Sequence, residues 1–238
     1  MDQILEAYKQ KKIEVSEGPY IVTGNIPLVK KIQVVSKHGE PLAWKNEGDI
    51  ATGDAYFLCR CGNSSFKPFC DGTHYDIKFD GTETAPASTQ AERRETLPGA
   101  KNLLIRMDGL LCTSSGFCAN RLTSIYEMAT KTDNAQVRTQ AISMIRNCPS
   151  GALTYALRAG LADVEADLPL QIACTIEYTS EGAIQGPYWV TGGIPIHRFD
   201  KQPFEARNRV ALCSCGLSQI KPLCDGAHRE HPIYVDEK

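Results

Sequence analysis

Short runs of alternating or β-branched residues, set off by polar turn signals, recur near both ends of the chain. They predict strands over Tyr20 to Thr23 and Ile32 to Val35, and again over Tyr188 to Thr191 and Pro195 to Phe199. Two further runs, Ala55 to Leu58 and Arg209 to Leu212, follow turn signals at Gly48 to Asp54 and Arg207-Asn208. The period changes in the middle of the chain. Leu122, Ile125, Tyr126 and Ala129, then Val137, Ala141, Met144, Ile145 and Cys148, fall at helical spacing. Two amphipathic helices follow, broken near Asp133 and stopped by Pro149. Asp80 to Ala100, rich in Thr, Ala, Glu, Pro and Gly, reads as a linker, and Met1 to Lys12 as a short amphipathic helix.

The strand-rich ends are copies of each other. GPYIVTGNIP starts at Gly18 and GPYWVTGGIP at Gly186, and each leads to a cysteine motif, CRCGNSSFKPFCDGTH from Cys59 to His74 and CSCGLSQIKPLCDGAH from Cys213 to His228. Two copies around an unlike segment are a duplicated domain rather than a solenoid. The first copy carries the longer insertion, around Lys37 to Asp49. The expected organisation is α+β: a first module over 1–79, a linker over 80–100, a helical segment over 101–160 and a second module over 161–238.

Composition narrows the chemistry. The chain has 238 residues, an apolar fraction of 42% and a formal charge of -2, with both signs mixed along it. No field favours nucleic acid, and no run of about 18 apolar residues could cross a bilayer. Ten cysteines without a secretion signal point to metal or redox work in a reducing compartment, here the cytoplasm. Each motif offers Cys, one residue, Cys, eight residues, Cys, three residues, His. Four such ligands suit zinc or a 2Fe-2S cluster. Paired zinc cysteines are commonly two to four residues apart, so the single-residue gap fits a wider target better. Gly62-Asn63-Ser64 and Gly216-Leu217-Ser218 let backbone amides turn toward a bound anion, and Asp71 and Asp225 stand where they can accept free helix amides.

Both motifs resemble the CDGSH iron-sulfur family, of the mitoNEET type, with Thr73 and Ala227 in place of the family's usual serine. The resemblance implies two 2Fe-2S clusters. Cys59 and Cys61 would hold an inner iron, and Cys70 with His74 an outer, solvent-facing one; Cys213, Cys215, Cys224 and His228 would repeat the arrangement. It also implies that two β-rich cluster-binding modules pair within one chain, as an intramolecular pseudo-dimer and hence a monomer. The segment from Gly109 to Tyr155 resembles the divergent single-cluster ferredoxin-like domain, through Cys112, Cys118 and Cys148-Pro149-Ser150-Gly151. Ser114 stands where many relatives have histidine and Ser115 where a cysteine is absent, so no fourth ligand is visible and these residues stay outside the expected site.

Cys174 reads as a buried small hydrophobe, and His38, His197 and His231 as surface residues. No Gly-rich nucleotide loop, GxSxG elbow or HExxH is present, so no enzyme is expected. The expected role is electron transfer or cluster transfer to a redox partner or apo acceptor protein, with clusters labile to acid through their histidine ligand. The competing expectation is a zinc-stabilised Cys3His interaction module.

Overall fold

The computed structural model describes residues 10–99 and 102–235. The helix expected over Met1 to Lys12 lies mostly outside them, and Lys12 itself opens a strand.

In the first copy β1 (Lys12–Val15), β2 (Tyr20–Thr23), β3 (Leu28–Val35), β4 (Pro41–Ile50) and β5 (Ala55–Leu58) lead to the short helix α1 (Thr73–Asp76). Then come α2 (Gln90–Arg93), β6 (Glu95–Thr96), β7 (Leu104–Met107), α3 (Ile125–Ala129), α4 (Ala135–Asn147) and β8 (Leu153–Ala156). The second copy supplies β9 (Gln171–Thr179), β10 (Gly182–Thr191), β11 (Ile196–His197), β12 (Arg209–Leu212) and α5 (Ala227–Glu230). The expected α+β class holds, with three sheets ordered β11-β1-β2-β5, β12-β10-β9-β3-β4 and β6-β7-β8.

The copies exchange strands. β11 of the second pairs parallel with β1 of the first, and β3 of the first pairs parallel with β9 of the second. The Ile13 amide donates to the Pro195 carbonyl at 2.9 Å, and the Ile172 amide donates to the Pro27 carbonyl at 2.9 Å. The repeated tyrosine of GPYxVT acts across the same boundary. Tyr20 Oη lies 2.9 Å from the Cys213 carbonyl oxygen, and Tyr188 Oη lies 2.9 Å from that of Cys59. Both hydroxyls are thereby satisfied inside a core where an unpaired one would cost roughly 1–3 kcal/mol. Ile13, Leu28, Leu58 and Ile172 are almost wholly buried here. Each contributes roughly 1.5–3 kcal/mol by leaving water.

One expectation gains a form and two change. The insertion around Lys37 to Asp49 is mostly the strand β4, paired antiparallel to β3, and it reaches the middle segment: Trp44 Nε1 donates to the Asn147 carbonyl at 3.0 Å and the Trp44 ring packs on Phe117. The middle segment is not purely helical. β6, β7 and β8 form a sheet beside its helices, because Leu103, Ile105 and Leu153 bury on one side of short alternating runs. Its helices begin as their caps dictate, with Ser124 accepting from the Glu127 amide and Asn134 from the amides of Gln136 and Val137. Helical spacing does not bury every position, however: Leu122 precedes α3 and is exposed, as is Tyr126. Lastly, the linker-like stretch is tied down. The Thr84 and Ala85 amides both donate to the Lys221 carbonyl, at 2.8 and 3.0 Å, so the chain straps the second motif.

Candidate metal centres

Each cysteine motif grows from the end of a strand. β5 hands the chain to Cys59, whose amide donates to the Pro68 carbonyl at 2.8 Å, while the Cys70 amide donates back to Phe57 at 2.9 Å. The second motif repeats this, from Cys213 to Pro222 and from Cys224 to Ala211, both at 2.9 Å. Ser64 Oγ donates to the Phe69 carbonyl and Ser218 Oγ to that of Leu223, closing the intervening loop in both copies. Asp71 accepts the amides of Thr73 and Ser65, and Asp225 those of Ala227 and Gln219, so each aspartate fixes the start of the short helix that carries the histidine.

Glycine permits the two motifs to meet. Gly62 and Gly216 have φ of 78° and 80°. A Cβ on Gly62 would stand 2.4 Å from the Cys215 carbonyl oxygen, and one on Gly216 would stand 2.6 Å from that of Cys61. Only glycine combines that conformation with that approach.

All eight expected ligands fall into side-chain pairs. Cys59 and Cys61 Sγ are 3.8 Å apart and Cys213 and Cys215 Sγ 3.7 Å, while Cys70 Sγ lies 3.3 Å from His74 Nδ1 and Cys224 Sγ 3.4 Å from His228 Nδ1. The edge of a tetrahedron with metal–sulfur bonds of about 2.3 Å is about 3.8 Å, so each pair matches two ligands of one metal. Among the described residues no three His, Cys, Asp or Glu side chains converge on a single ion position.

Without a cation most of these thiols favour the neutral form. Burial pushes Cys61 up to about 11 and raises Cys70 and Cys224 as well. In the buried Cys213 and Cys215 pair the hydrogen bond between the sulfurs favours ionisation of Cys213 and opposes that of Cys215. A bound metal reverses this preference, because a coordinating thiol is deprotonated outright.

The middle segment brings Cys112, Cys118 and Cys148 to the wall of one small cavity. Burial, then the neighbouring Cys112 and Cys148, raises Cys118. Arg209 Nη1 donates to the Ile145 and Cys148 carbonyls, both at 2.8 Å, and Arg207 Nη2 donates to Ser150 at 2.8 Å, so the second module grips the loop that presents Cys148. Three thiols do not complete a four-ligand set, and Ser114 and Ser115 offer hydroxyls in their place. Cys174 is half-buried in β9, its thiol pushed up to about 12 by desolvation, while His38, His197 and His231 are exposed.

Sequence reasoning did not reveal Glu177. Its Oε2 sits 3.2 Å from His228 Nε2 and is also paired with Arg229. Glu177 lies on an extension of the β9–β10 hairpin that the first copy lacks, so the repeat gave no sign of it.

Residues 17–75 and 185–229 match the family described as the iron-binding zinc finger of CDGSH type, and residues 100–158 match the divergent 4Fe-4S mono-cluster family. Each of the two CDGSH-type matches contains one full set of the expected ligands, and the 4Fe-4S match lies between them. No curated protein and no solved structure matches it. Both family matches support iron-sulfur cluster binding.

Proposed function

We propose that the chain is an iron-sulfur carrier that holds one 2Fe-2S cluster at each CDGSH site and passes electrons or whole clusters between partner proteins. The observation that carries this reading is the pairing of ligands: in each motif two pairs, each at the spacing of two ligands on one metal, and no convergence of three. When bound, such a cluster supplies a one-electron couple. The residues around it give the rest. Cys59, Cys61, Cys213 and Cys215, all buried, would hold the inner side, and Cys70 with His74 and the equally buried Cys224 with His228 the outer side. A histidine ligand must present a bare nitrogen to the metal, so protons compete for it and the clusters are acid-labile.

The chain acts as a monomer, since the strand exchange between copies supplies internally the pairing that separate chains would otherwise provide. Its ten free thiols suit a reducing compartment such as the cytoplasm. No helix among the described residues is long and apolar enough to cross a membrane. Its partners are redox proteins or apo acceptors of clusters, and no substrate is turned over.

Iron, zinc and acid-labile sulfide measured per chain test the reading. Two 2Fe-2S clusters require four irons and four sulfides, roughly, with visible absorption. A colourless protein with stoichiometric zinc and no sulfide sinks it in favour of the zinc-stabilised module. Iron clearly above four places a further cluster on Cys112, Cys118 and Cys148.

A further inference from the structure

The two CDGSH sites share their inner halves and differ at their outer halves. Cys70 and His74 are half-buried, and His74 lines an open cleft of about 530 Å3 with Glu17, Tyr75 and Phe79. Cys224 and His228 keep only 3% and 1% of their surface. Two structures cover them, one from the second copy and one from the middle segment.

The first cover is the longer β9–β10 hairpin. It lays Glu177, itself fully buried, against His228 Nε2, and Arg229 pairs with the same carboxylate while its Nη2 donates to the Tyr178 carbonyl at 3.1 Å. In the first copy the hairpin turns at Ser16 and Glu17, and Gly18 is pressed against the ring instead: a Cβ there would lie 2.2 Å from His74 Nε2. The second cover is the middle segment. A Cβ on Gly226 would meet Ser114 Oγ at 3.0 Å and the Thr113 backbone at 3.2 Å, whereas one on Gly72 would meet nothing within 4 Å.

From these differences we infer that the two sites have separate tasks, the first exchanging its metal group and the second retaining it, with Glu177 the residue that positions His228. This division rests on the iron-sulfur reading of both sites. A ligating imidazole that donates its other N–H to a carboxylate is fixed in tautomer and orientation and becomes a stronger donor, and such partners commonly govern metal affinity by 10- to 100-fold. With Nε2–H directed at Glu177, Nδ1 is the nitrogen left to face the metal beside Cys224. His74 has open space on one side and the backbone at Gly18 on the other. Exchange at the first site would be ligand substitution without change of oxidation state: incoming thiolates would replace first Cys70 and His74, which the open cleft leaves accessible, and then Cys59 and Cys61, so that the group leaves with a full set of new ligands.

The test follows visible absorbance and iron retained by the holoprotein under excess EDTA at pH 7.5. Wild type should lose colour in two phases at least about tenfold apart. Cys70→Ser should abolish the fast phase and Cys224→Ser the slow one. Glu177→Gln keeps a hydrogen-bond acceptor but loses the charge; it should speed the slow phase about tenfold, leave the fast phase unchanged and move only one of the two reduction waves to more positive potential. A single phase in coloured wild-type protein overturns the inference alone, as does a slow phase that Glu177→Gln leaves untouched. Zinc without sulfide overturns the iron-sulfur reading and this inference together.

Discussion

The inner halves of the two CDGSH sites are nearly interchangeable: Gly62 abuts Cys215 as Gly216 abuts Cys61, and Tyr20 reaches Cys213 as Tyr188 reaches Cys59. Their outer halves are not. A strand exchange that joins the copies constrains both partners equally, so residues at that boundary stay alike. Residues facing away meet whatever else the chain supplies, which is solvent for His74 and Glu177 with Ser114 for the second site. Duplication within one chain thus frees the outer halves to diverge, a freedom that two identical chains would lack.

Removing an outer cysteine should break the comparison most strongly. Cys70→Ser and Cys224→Ser should each lose about two irons per chain. The cost to the fold should differ. A hydroxyl at 224 is sealed from water, and leaving it unpaired costs roughly 1–3 kcal/mol, whereas one at 70 can reach solvent. Urea denaturation of the two variants should therefore give a lower midpoint for Cys224→Ser, and equal midpoints would mean that water reaches both outer halves alike.

The inner halves should respond equally. Alanine at 62 or at 216 must adopt a left-handed backbone and push away a carbonyl oxygen that belongs to the other motif. Each change should destabilise by roughly 1–3 kcal/mol. The two values should agree within about 0.5 kcal/mol, since the contacts are reciprocal. A large effect from one and none from the other would show that the copies do not bear on each other symmetrically.

The two cysteine motifs and most strands were legible in the sequence, because motif spacing is local and strand alternation reports burial on one face of a short run. Tyr20 and Tyr188 were visible only as part of a repeat; their carbonyl partners lie some 190 and 130 positions away, at Cys213 and Cys59, beyond any periodicity. The insertion of the first copy shows in its length against the second, but its conformation does not: the exposed polar residues of β4, Lys45 to Asp49, look like a loop until β3 pairs with them. The sheet in the middle segment was hidden by the stronger signal of its helices, and Leu122 shows that helical spacing can occur just ahead of a helix. Glu177 lies one residue after Ile176 in a run that reads as an ordinary amphipathic strand, and its meaning depends wholly on the histidine 51 positions later.

The smallest effect turns on one hydroxyl. Asp71 accepts from Thr73 Oγ1 at 2.7 Å, from the Thr73 amide at 3.0 Å and from the Ser65 amide at 2.7 Å. The Thr73 hydroxyl, and then these amides, hold the Asp71 carboxyl well below the usual carboxylate range. Asp225 accepts the two corresponding amides, but Ala227 gives it no hydroxyl. A carboxyl depressed in the folded state stabilises the protein above its unfolded value of about 4, and that contribution is lost as pH falls through the folded value. Thr73→Ala should therefore lower the urea midpoint slightly at pH 7, with the gap from wild type closing as pH drops below about 4. Ala227→Thr should do the reverse by giving the second site the hydroxyl of the first. Because Asp71 is exposed to solvent, both shifts should be small and should shrink in high salt. A gap for Thr73→Ala that stays constant from pH 7 to pH 3 would mean that the threonine acts through packing of its methyl group, and that the two aspartates hold their helices in the same way.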